Sequence, residues 1–163
     1  MTIATGEKLP VATLSQMGAN GPEVVELSEK LAGRKVVIFA LPGAFTGTCT
    51  TAHVPSFIRT RKAFSEKGVD EVICISVNDP FVMKAWGDAT GATAAGITML
   101  ADPGAAFTRA VGMNFSGAPA SGLIDRSKRF AMLVEDGVVK VLHREEKAGT
   151  CEISGGEALL AAI

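Results

Sequence analysis

Lys35-Val36-Val37-Ile38-Phe39-Ala40-Leu41, continuing directly into Pro42-Gly43-Ala44-Phe45-Thr46-Gly47-Thr48-Cys49, is the stretch from which the architecture of this chain is read. The first part is an apolar run that reads as a strand, and the second begins with a Pro-Gly turn and carries threonines whose hydroxyls are suited to cap free backbone N–H groups. Beyond it Val54, Phe57, Ile58 and Phe64 recur at helical spacing and Gly68 supplies a stop, so a helix is expected over about 47–67. Cys49 then falls on the first turn of that helix. Free N–H groups and the helix dipole favour negative charge there, and the thiolate is the nucleophilic form of cysteine.

Working outward, the same alternation continues. Val11 to Leu14 and Val24 to Leu27, separated by Gly18, Gly21 and Pro22, suggest an opening β-hairpin or extended arm. A strand is expected at 71–77, a helix from Asn78-Asp79-Pro80 to about residue 90, a strand from Ile97 to Leu100, and a short helix from Asp102-Pro103 to Val111. Gly112 to Ser121 shows no period and reads as a loop over a site or a subunit contact. Arg129 to Glu135, Asp136-Gly137 and Val138 to His143 form a hairpin, since Asp-Gly suits a tight primed turn. Ser154-x-x-Glu157 ahead of Ala158-Leu159-Leu160-Ala161-Ala162 reads as a capping box opening a last helix. Strands alternating with helices and closed by a hairpin imply an α/β fold with a mixed central sheet flanked by helices.

At 163 residues, 47% of them apolar, the chain fits a single domain spanning 1–163 with a sizeable core. Sixteen basic against seventeen acidic residues leave a net charge of −1, which offers no field for nucleic acid or an anionic membrane. The apolar runs are strand-sized and the start lacks the blocks of a secretory signal, so a soluble, cytoplasmic protein is expected. Three cysteines without a Cys-x-x-Cys pair argue against a disulfide framework, a zinc site and a thioredoxin-type reductase motif. No metal is expected.

The pattern Pro42-x-x-x-Thr46-x-x-Cys49 resembles the active-site signature of the peroxiredoxins, and Pro-Gly-Ala-Phe-Thr before the cysteine, with His53, Pro55 and Phe57 after it, resembles their type II, atypical two-cysteine subgroup. Further matches at 74–86 and 128–137 carry the likeness along nearly the whole chain. The resemblance implies a thioredoxin-like fold, a homodimer, no cofactor, and a thiol peroxidase that reduces hydrogen peroxide and alkyl hydroperoxides through a sulfenic acid. It also implies re-reduction by glutathione, glutaredoxin or thioredoxin.

Favouring a thiolate about three-hundredfold takes about 3.4 kcal/mol, whereas a helix terminus supplies ~0.3–1 and at most ~2 kcal/mol. A buried guanidinium is the natural further source. Among the arginines, Arg129 opens the expected hairpin and matches the active-site arginine of the resembled family. By the same similarity Thr46 holds peroxide and thiolate with its hydroxyl, the backbone N–H groups of Thr48 and Cys49 bind oxygen, and Pro42 limits solvent access. Read from the residues alone, Thr46 is an N-cap, Pro42 a turn residue, and Trp86 and Phe45 packing residues, with the apolar wall near the sulfur as a second role for both. His53, one turn beyond Cys49, reads as structural rather than as a base. His143 shows no partner.

The sulfenic acid needs a second thiol. Cys74, on an apolar strand, resembles the second cysteine of plant members, and Cys151, in a polar loop, resembles the resolving cysteine of animal members. Both stay open, with Cys151 favoured for its accessibility. Gly47 stands where many members carry proline and Pro55 lacks a donor inside the helix, so the first turn is expected to unwind readily. A monothiol disulfide exchanger and a redox-sensing or chaperone module on the same fold are the alternatives.

Overall fold

In the computed structural model, which describes residues 1–163, the chain opens with the hairpin announced by its glycines. Strand β1 (Thr13–Gly18) runs antiparallel to β2 (Gly21–Glu26), and Gly21, at φ 117°, makes the turn. A short helix α1 (Leu27–Leu31), too short to carry a periodic signal, buries Leu27 and Leu31. Strand β3 (Lys35–Leu41) leads through the Pro-Gly turn into a helical stretch whose π-helical turn, Cys49–His53, runs into α2 (Val54–Glu66). Then come β4 (Glu71–Ser76), α3 (Pro80–Thr90), β5 (Ile97–Ala101), α4 (Ala106–Ala110) and the short pair β6 (Asn114–Phe115) and β7 (Arg126–Ser127). Strands β8 (Phe130–Glu135) and β9 (Val138–Arg144) and helix α5 (Gly156–Ala161) complete the chain.

Seven strands form one sheet in the order β2-β1-β5-β4-β3-β8-β9. β3, β4 and β5 are parallel, whereas β8 lies antiparallel to β3 with Phe39 opposite Ala131, so the sheet is mixed as expected. Alternate residues of β3 serve opposite faces. Val37, Phe39 and Leu41 meet Phe57 and Phe64 of α2, Trp86 of α3 and Leu159 of α5 on one side. Val36, Ile38 and Ala40 meet Leu27, Leu31, Phe107 and Val111 on the other. This is a thioredoxin-like three-layer arrangement. Phe39 stacks on Phe57 at 4.1 Å between ring centroids, and each buried ring contributes roughly 1.5–3 kcal/mol, which pins α2 to the strand that delivers Cys49.

Three local expectations change. The helix expected from Asp102-Pro103 begins only at Ala106: Ala105 turns left-handed at φ 56°, and the Asp102 carboxylate reaches forward to accept from the N–H groups of Phe107 and Thr108. The capping box at Ser154 and Glu157 does not form. Helix α5 starts after Gly155, and its first N–H, on Gly156, donates to Ser56 Oγ of α2 at 2.9 Å. Close packing explains the exchange, because a Cβ on Gly156 would lie 2.5 Å from the Ser56 carbonyl oxygen. The segment 112–121 is not wholly irregular, since β6 pairs with β7 and a 3-10 turn spans Pro119–Ser121. The Asp-Gly hairpin turn forms as read, with Asp136 and Gly137 at φ 47° and 78°.

Candidate active site

Strand β3 ends at Leu41, and the next eight residues carry the chain across the end of the sheet to Cys49. The helix opens with a single α-turn, Thr50 N–H bonding to the Thr46 carbonyl at 3.2 Å, and then widens. Val54 N–H bonds to the Cys49 carbonyl, five residues back, which makes Cys49–His53 a π-helical turn. Pro55 supplies the reason: it has no N–H to donate, and its ring would crowd the Thr51 carbonyl of a regular helix. The turn is held from outside by Trp86 of α3, whose indole Nε1 donates to Thr50 Oγ1 at 3.1 Å. Trp86 is fully buried, as a packing residue should be, but it also makes this polar contact.

Cys49 is 1% exposed and Arg129, at the foot of β8, is 2% exposed. Arg129 Nη2 donates to Cys49 Sγ at 3.3 Å. The same guanidinium is tied on its other edges, with Nε and Nη2 donating to the Ala148 carbonyl at 3.3 and 2.9 Å and Nη1 lying 3.0 Å from His53 Nδ1. His53 Nε2 lies 2.9 Å from the Ser154 carbonyl, so that nitrogen carries the proton and Nδ1 accepts from the arginine. Burial first, and the adjacent Arg129 cation second, lower the His53 pKa to about 3, so the ring is neutral. His53 is therefore an acceptor for the guanidinium. Its position four residues after Cys49 was the only trace of this role in the sequence.

The other expected residues gather here to different degrees. Thr46 does not cap the helix: its hydroxyl donates to the Gly43 carbonyl at 2.7 Å, leaving its lone pairs free. The N–H groups of Thr48 and Cys49 have no backbone acceptor. Pro42 lines the pocket, and its carbonyl accepts from Arg126 Nη1 at 3.1 Å, a second arginine that sequence reading missed. The pocket, about 260 Å³, opens over the sulfur between Pro42, Thr46, Thr48, Leu123 and Ala148. Phe45 is not a packing residue. It is 58% exposed on a left-handed backbone at φ 60°, an uncommon conformation for an aromatic residue, which turns the ring outward.

All three cysteines are free thiols. Cys74 sits on β4 opposite Phe39 with no exposure, and burial pushes its thiol well above the usual range, with the Cys49 sulfur adding to the effect. Cys151 is half-buried in the turn between β9 and α5; burial raises its pKa too, partly offset by the Ser154 hydroxyl and by Arg129. His143, without a partner in the sequence reading, bonds through Nδ1 to the Ile153 carbonyl at 2.8 Å and so steadies that same turn.

A family model described as Redoxin matches residues 4–160. The chain is 47% identical to the chloroplastic peroxiredoxin-2E-2 of Oryza sativa subsp. japonica over 99% of its own length and 73% of the relative's. It is 40% identical to peroxiredoxin-2B of Arabidopsis thaliana over 99% of this chain and 98% of that one. Among solved structures, reduced Prx3 from Vibrio vulnificus in complex with hydrogen peroxide superposes with a TM-score of 0.92 at 45% identity and covers 99% of both chains.

Proposed function

The chain belongs to the redoxin family and is a peroxiredoxin, a thiol peroxidase that takes peroxides as substrates and thiols as reductants, and from that premise we propose that Cys49 is its peroxide-attacking sulfur. The observation that carries the assignment is the 3.3 Å contact from a buried, always-charged guanidinium, Arg129, to Cys49 Sγ. The Cys49 thiolate attacks one peroxide oxygen, the S–O bond forms as the O–O bond breaks, and the other oxygen leaves as hydroxide or alkoxide and takes up a proton. Charge thus moves from sulfur to the departing oxygen. In this reading Arg129 and the free N–H groups of Thr48 and Cys49 follow it, a role supported by the guanidinium contact to Sγ and by the absence of backbone acceptors for the two N–H groups. Thr46, its proton committed to Gly43, offers lone pairs to a peroxide O–H, and Pro42 walls the pocket.

Cys49 sulfenic acid then condenses with a thiol, giving a disulfide and water. Cys151 is proposed as that thiol. It lies partly exposed in a turn that touches Arg129, whereas Cys74 would have to leave the middle of the sheet. Glutathione, glutaredoxin or thioredoxin is proposed to restore both thiols. The odd cysteine count supports a reducing compartment, with the cytoplasm as the proposed location, and no helix is long and apolar enough to cross a membrane. A homodimer is part of the proposal, supported by the exposure of Phe45 and Phe81, which follow in sequence the residues Ala44 and Asn78 joined by an N–H to Oδ1 bond.

Stopped-flow reaction with hydrogen peroxide tests the assignment. Cys49→Ser is expected to abolish the reaction, and Cys74→Ser to leave it intact. Peptide mass spectrometry of the oxidised protein should show a 49–151 link. A 49–74 link, or sulfenic acid alone, overturns the choice of Cys151.

A further inference from the structure

The turn between β9 and α5 is built around one carboxylate. Glu145 is only 7% exposed, and no cation forms an ion pair with it. Its compensation comes from the turn itself. Oε1 accepts from the N–H of Glu152 at 2.6 Å, from the N–H of Ser154 at 2.9 Å and from Ser154 Oγ at 2.9 Å, while Thr150 Oγ1 approaches Oε2 at 3.4 Å. Burial alone would raise this carboxyl; the donors of Ser154 and Glu152 outweigh it and hold the pKa below the ordinary range.

Folding the turn around Glu145 aims its carbonyls at the active site. The Ala148 carbonyl receives Arg129 Nε and Nη2, the Gly149 carbonyl receives Thr48 Oγ1, and the Ser154 carbonyl receives His53 Nε2. The Glu145 N–H in turn donates to the Arg129 carbonyl at 3.0 Å. Arg129 Nη2 is shared between Cys49 Sγ and Ala148, so the acceptor on the turn sets the angle at which the guanidinium meets the sulfur. Ser154 Oγ, which donates to Glu145 Oε1, also lies 3.9 Å from Cys151 Sγ, so the carboxylate is tied to that thiol as well, and its charge disfavours the thiolate.

We propose that Glu145 is a positioning residue for the peroxidatic site: its carboxylate, nested among the donors of residues 150–154, fixes the Ala148 and Ser154 carbonyls on Arg129 and His53 and holds Cys151 withdrawn while Cys49 is reduced. The assignment rests on Cys49 being the attacking thiol. It separates Glu145 from a residue that merely stabilises the fold, because its loss moves two thiols in opposite directions.

The test uses the full chain as wild type, Glu145→Ala and Glu145→Gln. Stopped-flow kinetics follow Cys49 with hydrogen peroxide, and iodoacetamide alkylation follows Cys151 in a Cys49→Ser, Cys74→Ser background. Glu145→Ala is expected to slow Cys49 about tenfold and to speed Cys151 alkylation about tenfold, the size of one or two lost charge-assisted hydrogen bonds. Glu145→Gln keeps an acceptor for the Glu152 and Ser154 donors, so it should restore the Cys49 rate to within about threefold while Cys151, relieved of the charge, still alkylates faster. An unchanged Cys49 rate in Glu145→Ala, parallel slowing of both thiols, or no rescue by glutamine overturns the proposal. Should Glu145→Ala not fold, Glu145→Gln decides alone: wild-type alkylation of Cys151 in that variant rejects it. A wild-type Cys49 no faster than free cysteine would sink the peroxidatic reading itself, and this inference with it.

Discussion

His53 Nδ1 lies 3.0 Å from Arg129 Nη1, so a buried, neutral imidazole serves as the acceptor for the cation that faces Cys49. A protonated ring would have no lone pair for the guanidinium and would place a second positive charge beside it. Burial and Arg129 together keep it neutral, and this has a measurable cost in acid.

Because the folded-state pKa of His53, about 3, lies below the ordinary histidine value of 6.5, the unfolded chain binds this proton first and stability falls as pH drops below 6.5. Between pH 7 and pH 5 the expected loss is about 2 kcal/mol. Glu71, Glu145 and Glu157 are held below the usual carboxylate value, so their contribution is lost only as pH falls below that value, and the interval between pH 7 and pH 5 reports His53. Urea unfolding should show this slope in the wild type and lose most of it in His53→Gln.

Arg129→Lys keeps the charge but not the fork that reaches Cys49, His53 and Ala148 at once. The peroxide rate constant is expected to fall about 100- to 1000-fold, as when a preorganised donor is removed from a developing anion. A stopped-flow rate within tenfold of wild type would remove Arg129 from the chemistry.

Pro55→Ala returns an N–H to the helix and removes the ring that crowds the Thr51 carbonyl, which favours a regular α-turn over the π-turn at Cys49–His53. Unwinding toward a second thiol should slow, and the sulfenic acid should oxidise further. The fraction of Cys49 sulfinic acid after excess peroxide, read by mass spectrometry, is expected to rise; equal fractions in variant and wild type would show that this turn does not gate resolution.

Thr50→Val keeps the shape of the side chain but takes the acceptor from the buried Trp86 indole. An unsatisfied buried donor costs about 1–3 kcal/mol, so the thermal midpoint should fall, with a change in tryptophan fluorescence marking the site of the loss.

Much of the fold was legible because its signals are local. The β3 run, the Asp79 cap that accepts from Val82 and the Asp136-Gly137 turn all depend on neighbours a few residues away, and all form as read. The failures are equally specific. Ser154 looked like a helix cap because Glu157 follows it at the right spacing, but its hydroxyl goes to Glu145 and its helix is capped by Ser56 from α2. Phe45 looked like core because it is aromatic, yet a left-handed backbone turns it outward.

The sequence by itself determined the alternating α/β order, the placement of Cys49 where a strand gives way to a helix, and a weakened first turn at Pro55, since periodicity, turn chemistry and a missing N–H act over short stretches of chain. Only the tertiary structure decided what surrounds the sulfur. Arg129 is 80 residues from Cys49, and Ser154 is 101 residues from the His53 ring it orients. Those contacts are set by the antiparallel seating of β8 on β3 and the packing of α5 on α2, and no local pattern encodes which distant donor will meet which acceptor.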